Sequence, residues 1–161
     1  MSLASLADYR TPRPWLILVA FIIVVVGVGG VIGTQSLPGT WYEGLNKPPF
    51  NPPNWVFGPA WFTLYVLIAI AGWRIFMIDA RSTAMKLWYA QMVLNFAWSP
   101  VWFTAHQIWP AYALIMAIWL LIIAFMLTAP RLDKPAAWLF APYLLWVTFA
   151  SMLNLSIGLL N

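Results

Sequence analysis

From Leu87 to Pro130 the chain runs 44 residues without a formal charge. That is too long for one membrane-crossing helix, which needs about 20 residues to traverse a hydrocarbon core of roughly 30 Å. His106, Gln107 and Pro110 break the run into two spans. Other apolar runs lie at Trp15–Gly33, at Trp55–Trp73, and from Pro135 to Asn161. Only 12 of 161 residues are charged, where a soluble domain would carry roughly a quarter. The chain therefore reads as an all-α integral membrane protein. One domain, residues 1–161, should form a bundle of five transmembrane helices with spans near 14–34, 55–78, 83–104, 109–129 and 135–160. The first connection, residues 35–54, is the only long one. A cleaved signal peptide fits residues 1–33 poorly, because the apolar run is long and no small-x-small cleavage site follows it.

The formal net charge is +4, but the positive residues sit in short clusters between apolar runs. Topology explains that better than a nucleic-acid partner does. Arg10, Arg13, Arg74, Arg81, Lys86, Arg131 and Lys134 fall on the amino-terminal side of a five-span bundle, and only Lys47 falls opposite. By the positive-inside rule the amino terminus faces the cytoplasm, while loop 35–54 and the carboxyl terminus face outward. That arrangement suits a bacterial inner membrane.

Catalytic constellations are sparse. Cysteine is absent, which excludes disulfides, thiolate metal sites and a Cys nucleophile. His106 is the one histidine, and Asp8, Asp79 and Asp133 map to the other side of the membrane from it. No metal site, required cofactor or Ser-His-Asp arrangement is expected. No ionisable residue is placed within a span, which argues against proton- or ion-coupled transport. Nor do five spans divide into two matching repeats.

What remains is a pattern for binding. Pro48-Pro49 and Pro52-Pro53 hold the aromatic loop extended, as a rigid lid at the mouth of the bundle. Of the twelve tryptophans, Trp15, Trp73, Trp88 and Trp138 fall at the inner ends of spans, and Trp41, Trp55, Trp102 and Trp109 at the outer ends. Interfacial belts account for these eight. Trp61, Trp98, Trp119 and Trp146 fall at mid-membrane depth. Gln91, Asn95, Trp98 and Trp102 share one helical face, as do Tyr143, Trp146, Ala150 and Asn154. Buried amides in a bilayer must face protein or a cavity. The two stripes serve either inter-helix hydrogen bonding or the walls of one internal pocket that grips a flat ligand between aromatic planes. Trp61 and Tyr65 join them from span two. Trp119 stands without polar neighbours and reads as packing rather than site. Gly29 and Gly33 form a G-x-x-x-G pair that suits a dimer face and tight packing within the bundle equally well.

Three segments, Trp41–Tyr65, Gln91–Phe103 and Pro142–Asn154, occur in the order of the signature motifs of the translocator protein family of tryptophan-rich sensory proteins, which the chain resembles over most of residues 15–154. The resemblance implies a five-helix membrane protein, generally dimeric, that binds porphyrins such as protoporphyrin IX and isoquinoline-carboxamide or benzodiazepine-type drugs. Carried over by motif, the pocket would be lined by Trp41, Tyr42, Asn46, Pro48, Pro49, Trp55, Asn95, Trp98, Trp146, Ala150 and Leu153. Trp55 and Trp146 match tryptophans proposed in some bacterial members to support light-dependent porphyrin breakdown, so they are the catalytic candidates. The segment Leu153–Gly158 lacks the Tyr and Arg of the animal cholesterol motif, so sterol binding does not carry over. A receptor or sensor of tetrapyrroles is thus the expected function, regulating tetrapyrrole or stress metabolism. A porphyrin-degrading enzyme and a passive porphyrin or lipid conduit are the alternatives.

Overall fold

Lipid offers no hydrogen-bond partners, so each long apolar run satisfies its backbone internally as a helix. The computed structural model describes residues 12–161; Asp8 and Arg10, which entered the charge assignment above, lie outside the described residues. Helix α1 covers Pro12–Gln35 and α2 the short Thr40–Gly44. A 3-10 turn, Asn54–Val56, leads into α3, Phe57–Asp79. Then come α4, Thr83–Ser99, α5, Ile108–Thr128, α6, Lys134–Leu139, and α7, Ala141–Leu160. Among the described residues four segments are long and apolar enough to cross a membrane, namely Arg13–Gln35, Asn54–Asp79, Ile108–Arg131 and Lys134–Leu160. The remaining span is α4, which is shorter and carries Lys86, Gln91 and Asn95. A five-residue π-helix, Pro100–Thr104, prolongs it, so that together they reach roughly 30 Å.

Prolines set two of these breaks. Pro100 has no N–H to return to the preceding turn. The ladder resumes one residue wider, with the Ala105 N–H donating to the Pro100 carbonyl at 2.8 Å. Such π-widening re-aims side chains, and here Trp102 becomes buried. Pro142 likewise interrupts the last span, leaving Phe140 between α6 and α7. The lid also departs from expectation. Trp41 and Tyr42 stand in helix α2, and the stretch that follows, with Pro48–Pro49 and Pro52–Pro53, lacks a helix.

Helix α1 packs on α3, α4 on α5, α5 on α7, and α3 on α6. Polarity is inverted relative to a soluble bundle. Gln91, Asn95 and Asn154 are buried, while Leu120, Leu127 and Leu145 point outward. Lipid tails are as apolar as leucine, so the bundle is held by close packing and interhelical hydrogen bonds. Tyr65 Oη donates to Asn95 Oδ1 at 3.0 Å, Asn95 Nδ2 to Tyr143 Oη at 2.7 Å, and Tyr143 Oη to Gln91 Oε1 at 3.0 Å. This chain joins α3, α4 and α7. Trp88 Nε1 donates to the Ile68 carbonyl at 2.9 Å, and Trp73 Nε1 to the Pro14 carbonyl at 3.1 Å.

Several expectations change here. Trp73, Trp88 and Trp102 are buried in protein rather than set in an interfacial belt, because their indoles pack on neighbouring helices. Trp15, Trp55, Trp109 and Trp138 are exposed, as a belt requires. Trp119 is not without a polar neighbour, since its Nε1 donates to Thr148 Oγ1 of α7 at 2.8 Å. Arg74 and Lys86 lie inside α3 and α4, near the helix ends remote from the lid. Arg74 tolerates that position by pairing with Asp133, Nε to Oδ2 at 2.5 Å and Nη2 to Oδ1 at 3.0 Å. Asp133 also caps α6 by accepting from the Ala136 N–H. Gly29 lies against the Tyr65 ring, so this half of the G-x-x-x-G pair serves packing within the bundle.

A side chain at Gly72 would run into the Trp88 indole, whereas one at Gly33 would meet nothing within 4 Å. Gly72→Ala should therefore lower stability by about 1–3 kcal/mol, and Gly33→Ala should leave it unchanged. Thermal unfolding in detergent micelles measures both, and equal melting temperatures would contradict the packing described.

Candidate functional site

A cleft of about 400 Å³ opens where α1, α3 and the junction of α4 with its π extension diverge, bordered by Ser36, Leu37, Pro38 and Asn54 at the two ends of the 35–54 loop. Gly30 and Gly33 of α1 leave room on one side, and Trp55, Trp61, Phe62 and Tyr65 wall the other. Trp98 and Phe103 close the end. Its volume falls in the range of small-molecule sites, and its walls are mainly aromatic with few polar groups, as such sites usually are. Trp61 and Tyr65 are 5.4 Å apart between ring centroids. Trp98 stacks nearly parallel on Trp102, 6.1 Å away at 7°. The Trp98 Nε1–H is buried without a protein acceptor, so the end wall holds an unused donor.

The lid is fastened from three directions. Tyr42 is buried under it, and its hydroxyl donates to Asn51 Oδ1 at 2.9 Å. Burial pushes the Tyr42 phenol above its ordinary value near 10. Asn46 and Asn161 bond reciprocally: the Asn46 N–H donates to Asn161 Oδ1 at 2.9 Å, and Asn161 Nδ2 donates to the Asn46 carbonyl at 3.0 Å. Trp41 stacks on His106, with centroids 4.4 Å apart and planes within 15°. His106 holds a left-handed backbone, with φ of 56°.

The structure sorts the sequence-derived residues into three groups. Trp55, Trp61, Tyr65 and Trp98 meet at the cleft. Trp41, Tyr42, Asn46, Pro48 and Pro49 build the lid, with Tyr42 and Pro48 turned inward. Asn95, Trp146, Ala150 and Leu153 lie behind the cleft rather than on it. Asn95 is committed to Tyr65 and Tyr143. Ala150 and Leu153 border a void of only about 20 Å³ with Tyr42 and Trp98. Trp146 contacts Trp61, with centroids 6.5 Å apart. The expected pocket between the α4 and α7 stripes is thus closed in this structure, because Tyr42 and Tyr143 fill the space between them. The open volume lies instead toward α1. Phe103, Gly30 and Gly33 were missed as wall residues. The prolines flagged the break that turns Phe103 toward the cleft, and no sequence signal marks the Asn46–Asn161 pairing.

Among the described residues no three His, Cys, Asp or Glu side chains gather as a metal site would require. The fold and cleft define a polytopic helical membrane protein with an aromatic-walled hollow. The chain belongs to the TspO/MBR family, whose model matches residues 17–160. It is 37% identical over 147 residues to a tryptophan-rich sensory protein of Cereibacter sphaeroides, covering 91% of this chain and 92% of that protein. With the tryptophan-rich protein TspO of Archaeoglobus fulgidus identity is 42% over 152 residues, covering 89% and 96%. With the translocator protein of Ovis aries it is 34% over 149 residues, covering 88% of each.

Tyr143 is the hub of the buried chain. Tyr143→Phe would strand Asn95 Nδ2 and Gln91 Oε1, whereas Tyr65→Phe would strand only Asn95 Oδ1. Each orphaned group costs about 1–3 kcal/mol, so Tyr143→Phe should lower the melting temperature more. The reverse order would remove the hub assignment.

Proposed function

We propose that the protein is a membrane receptor for flat, hydrophobic ligands of the porphyrin class, which it senses by binding them in the cleft beneath the lid. The observation that carries this is the cleft of about 400 Å³ walled by Trp55, Trp61, Tyr65 and Trp98. Aromatic faces at edge and stacking angles suit a planar macrocycle, and the apolar walls suit one that partitions into lipid. The relatives named for sensing and for translocation support the same class of activity. Isoquinoline-carboxamide and benzodiazepine-type molecules share the planar, apolar character the cleft selects. We place the lid on the outer side, following the positive-inside count, so that ligand capture occurs at the outer leaflet.

Sensing also accounts for the lid's construction. The fastenings through Asn161 and His106 join it to the end of α7 and to the loop before α5. Lid position therefore bears on three helices at once, which is the coupling a receptor needs between occupancy and shape.

Filling the cleft tests the assignment without disturbing the core. Gly33→Leu points into open space and should leave the fold intact while weakening protoporphyrin IX binding at least about tenfold, followed by tryptophan quenching. Unchanged affinity would place any porphyrin site elsewhere. The same samples under illumination separate receptor from enzyme. A receptor leaves porphyrin absorbance constant, while photo-oxidation through Trp55 would bleach it and be lost in Trp55→Phe.

A further inference from the structure

The outer face of the lid bears a second hollow, of about 440 Å³. It is distinct from the cleft, and Asn54 lines both. The cleft is apolar, whereas this hollow is bordered by Glu43, Lys47 and Asn51 around the Tyr42 ring. Lys47 is the one cation between Leu37 and Trp73. Its ammonium carries three protons. It donates to the carbonyls of Glu43 and Leu45 at 3.0 Å each and stands 4.8 Å from the centroid of the Tyr42 ring. One donor is left for the hollow. Among the described residues no carboxylate lies within ion-pair distance of Lys47.

A lysine anchored in this way has lost its rotamer freedom before anything binds, so little ordering cost remains for a ligand that reaches it. Across Asn54 lies an apolar cleft whose lining holds no charged residue. A molecule filling both hollows would be flat and apolar on one edge and anionic on the other.

We propose that Lys47 is a carboxylate subsite, which receives a propionate of a tetrapyrrole whose ring lies in the cleft. This rests on the porphyrin-class function proposed above and adds the ligand's orientation, with the ring inward and its acid edge outward past Asn54. Glu43 sets the limit on charge. Its exposed carboxylate lines the same hollow and repels a second anion, so the subsite favours one propionate and leaves the other to water.

The test compares protoporphyrin IX with its dimethyl ester, which keeps the ring and loses the charge. Both are titrated against purified wild-type protein, Lys47→Gln, Lys47→Arg and Glu43→Gln. Lys47→Gln should weaken the free acid about five- to tenfold, the loss of one charge-assisted contact, and shift the ester less than about twofold. Lys47→Arg should retain most of the affinity for the acid, and Glu43→Gln should tighten it. Equal losses for acid and ester in Lys47→Gln would mean that Lys47 only shapes the lid, and the subsite would fall. Unchanged affinity for both would also overturn it while leaving the porphyrin function standing. If wild type bound neither porphyrin, the subsite and the function would fall together.

Discussion

A bilayer interior cannot satisfy a stranded amide or hydroxyl, and the hydrogen-bond chain from Tyr65 through Asn95 and Tyr143 to Gln91 answers that constraint. It ties three helices where apolar contact alone is weakly directional, since lipid competes equally for leucine and valine. Helices α3, α4 and α7 are thereby fixed relative to one another. Helix α1 takes no part in the chain. It rests on α3 with most of its side chains turned outward, and the cleft opens between these two helices and the end of α4.

The same constraint separates scaffold from site. Asn95 has a donor and an acceptor engaged within the bundle, so it holds Tyr65 in place rather than facing the cleft. Tyr65 in turn presents its ring to the cleft while its hydroxyl points into the chain. Gly29 permits this, because any side chain there would occupy the space of that ring. Aromatic residues thus serve two purposes in one molecule. Trp73, Trp88 and Trp119 spend their indole N–H groups on neighbouring helices, while Trp98 keeps its donor unused at the end of the cleft.

Function follows from how the lid meets this frame. Proline pairs stiffen its second half, and Tyr42 seals the space between α4 and α7. The opening left toward α1 is mainly apolar, and Asn54 borders both it and a polar hollow that carries Lys47. A flat ligand with an acidic edge matches that sequence of environments. Asn161 and His106 then connect the lid to the end of α7 and to the loop before α5, neither of which lines the cleft.

Much of this was legible from residues alone. Uncharged runs of membrane length dictate helices wherever they occur, so the long helices, their order and the buried faces of α4 and α7 follow from composition and period. The lid was visible in its prolines, Trp61 and Trp98 in their depth along the spans, Tyr65 in its spacing from Trp61, and Trp55 through the family motif. The location of the cleft was not, because periodicity says which face is buried but not which neighbour covers it. Only the tertiary structure decided that Tyr42 fills the space between α4 and α7, that the open volume faces α1, and that Trp73, Trp88 and Trp102 are interior. It also brought Asn46 to Asn161 and Trp41 to His106, contacts between residues far apart in the chain that no local pattern encodes.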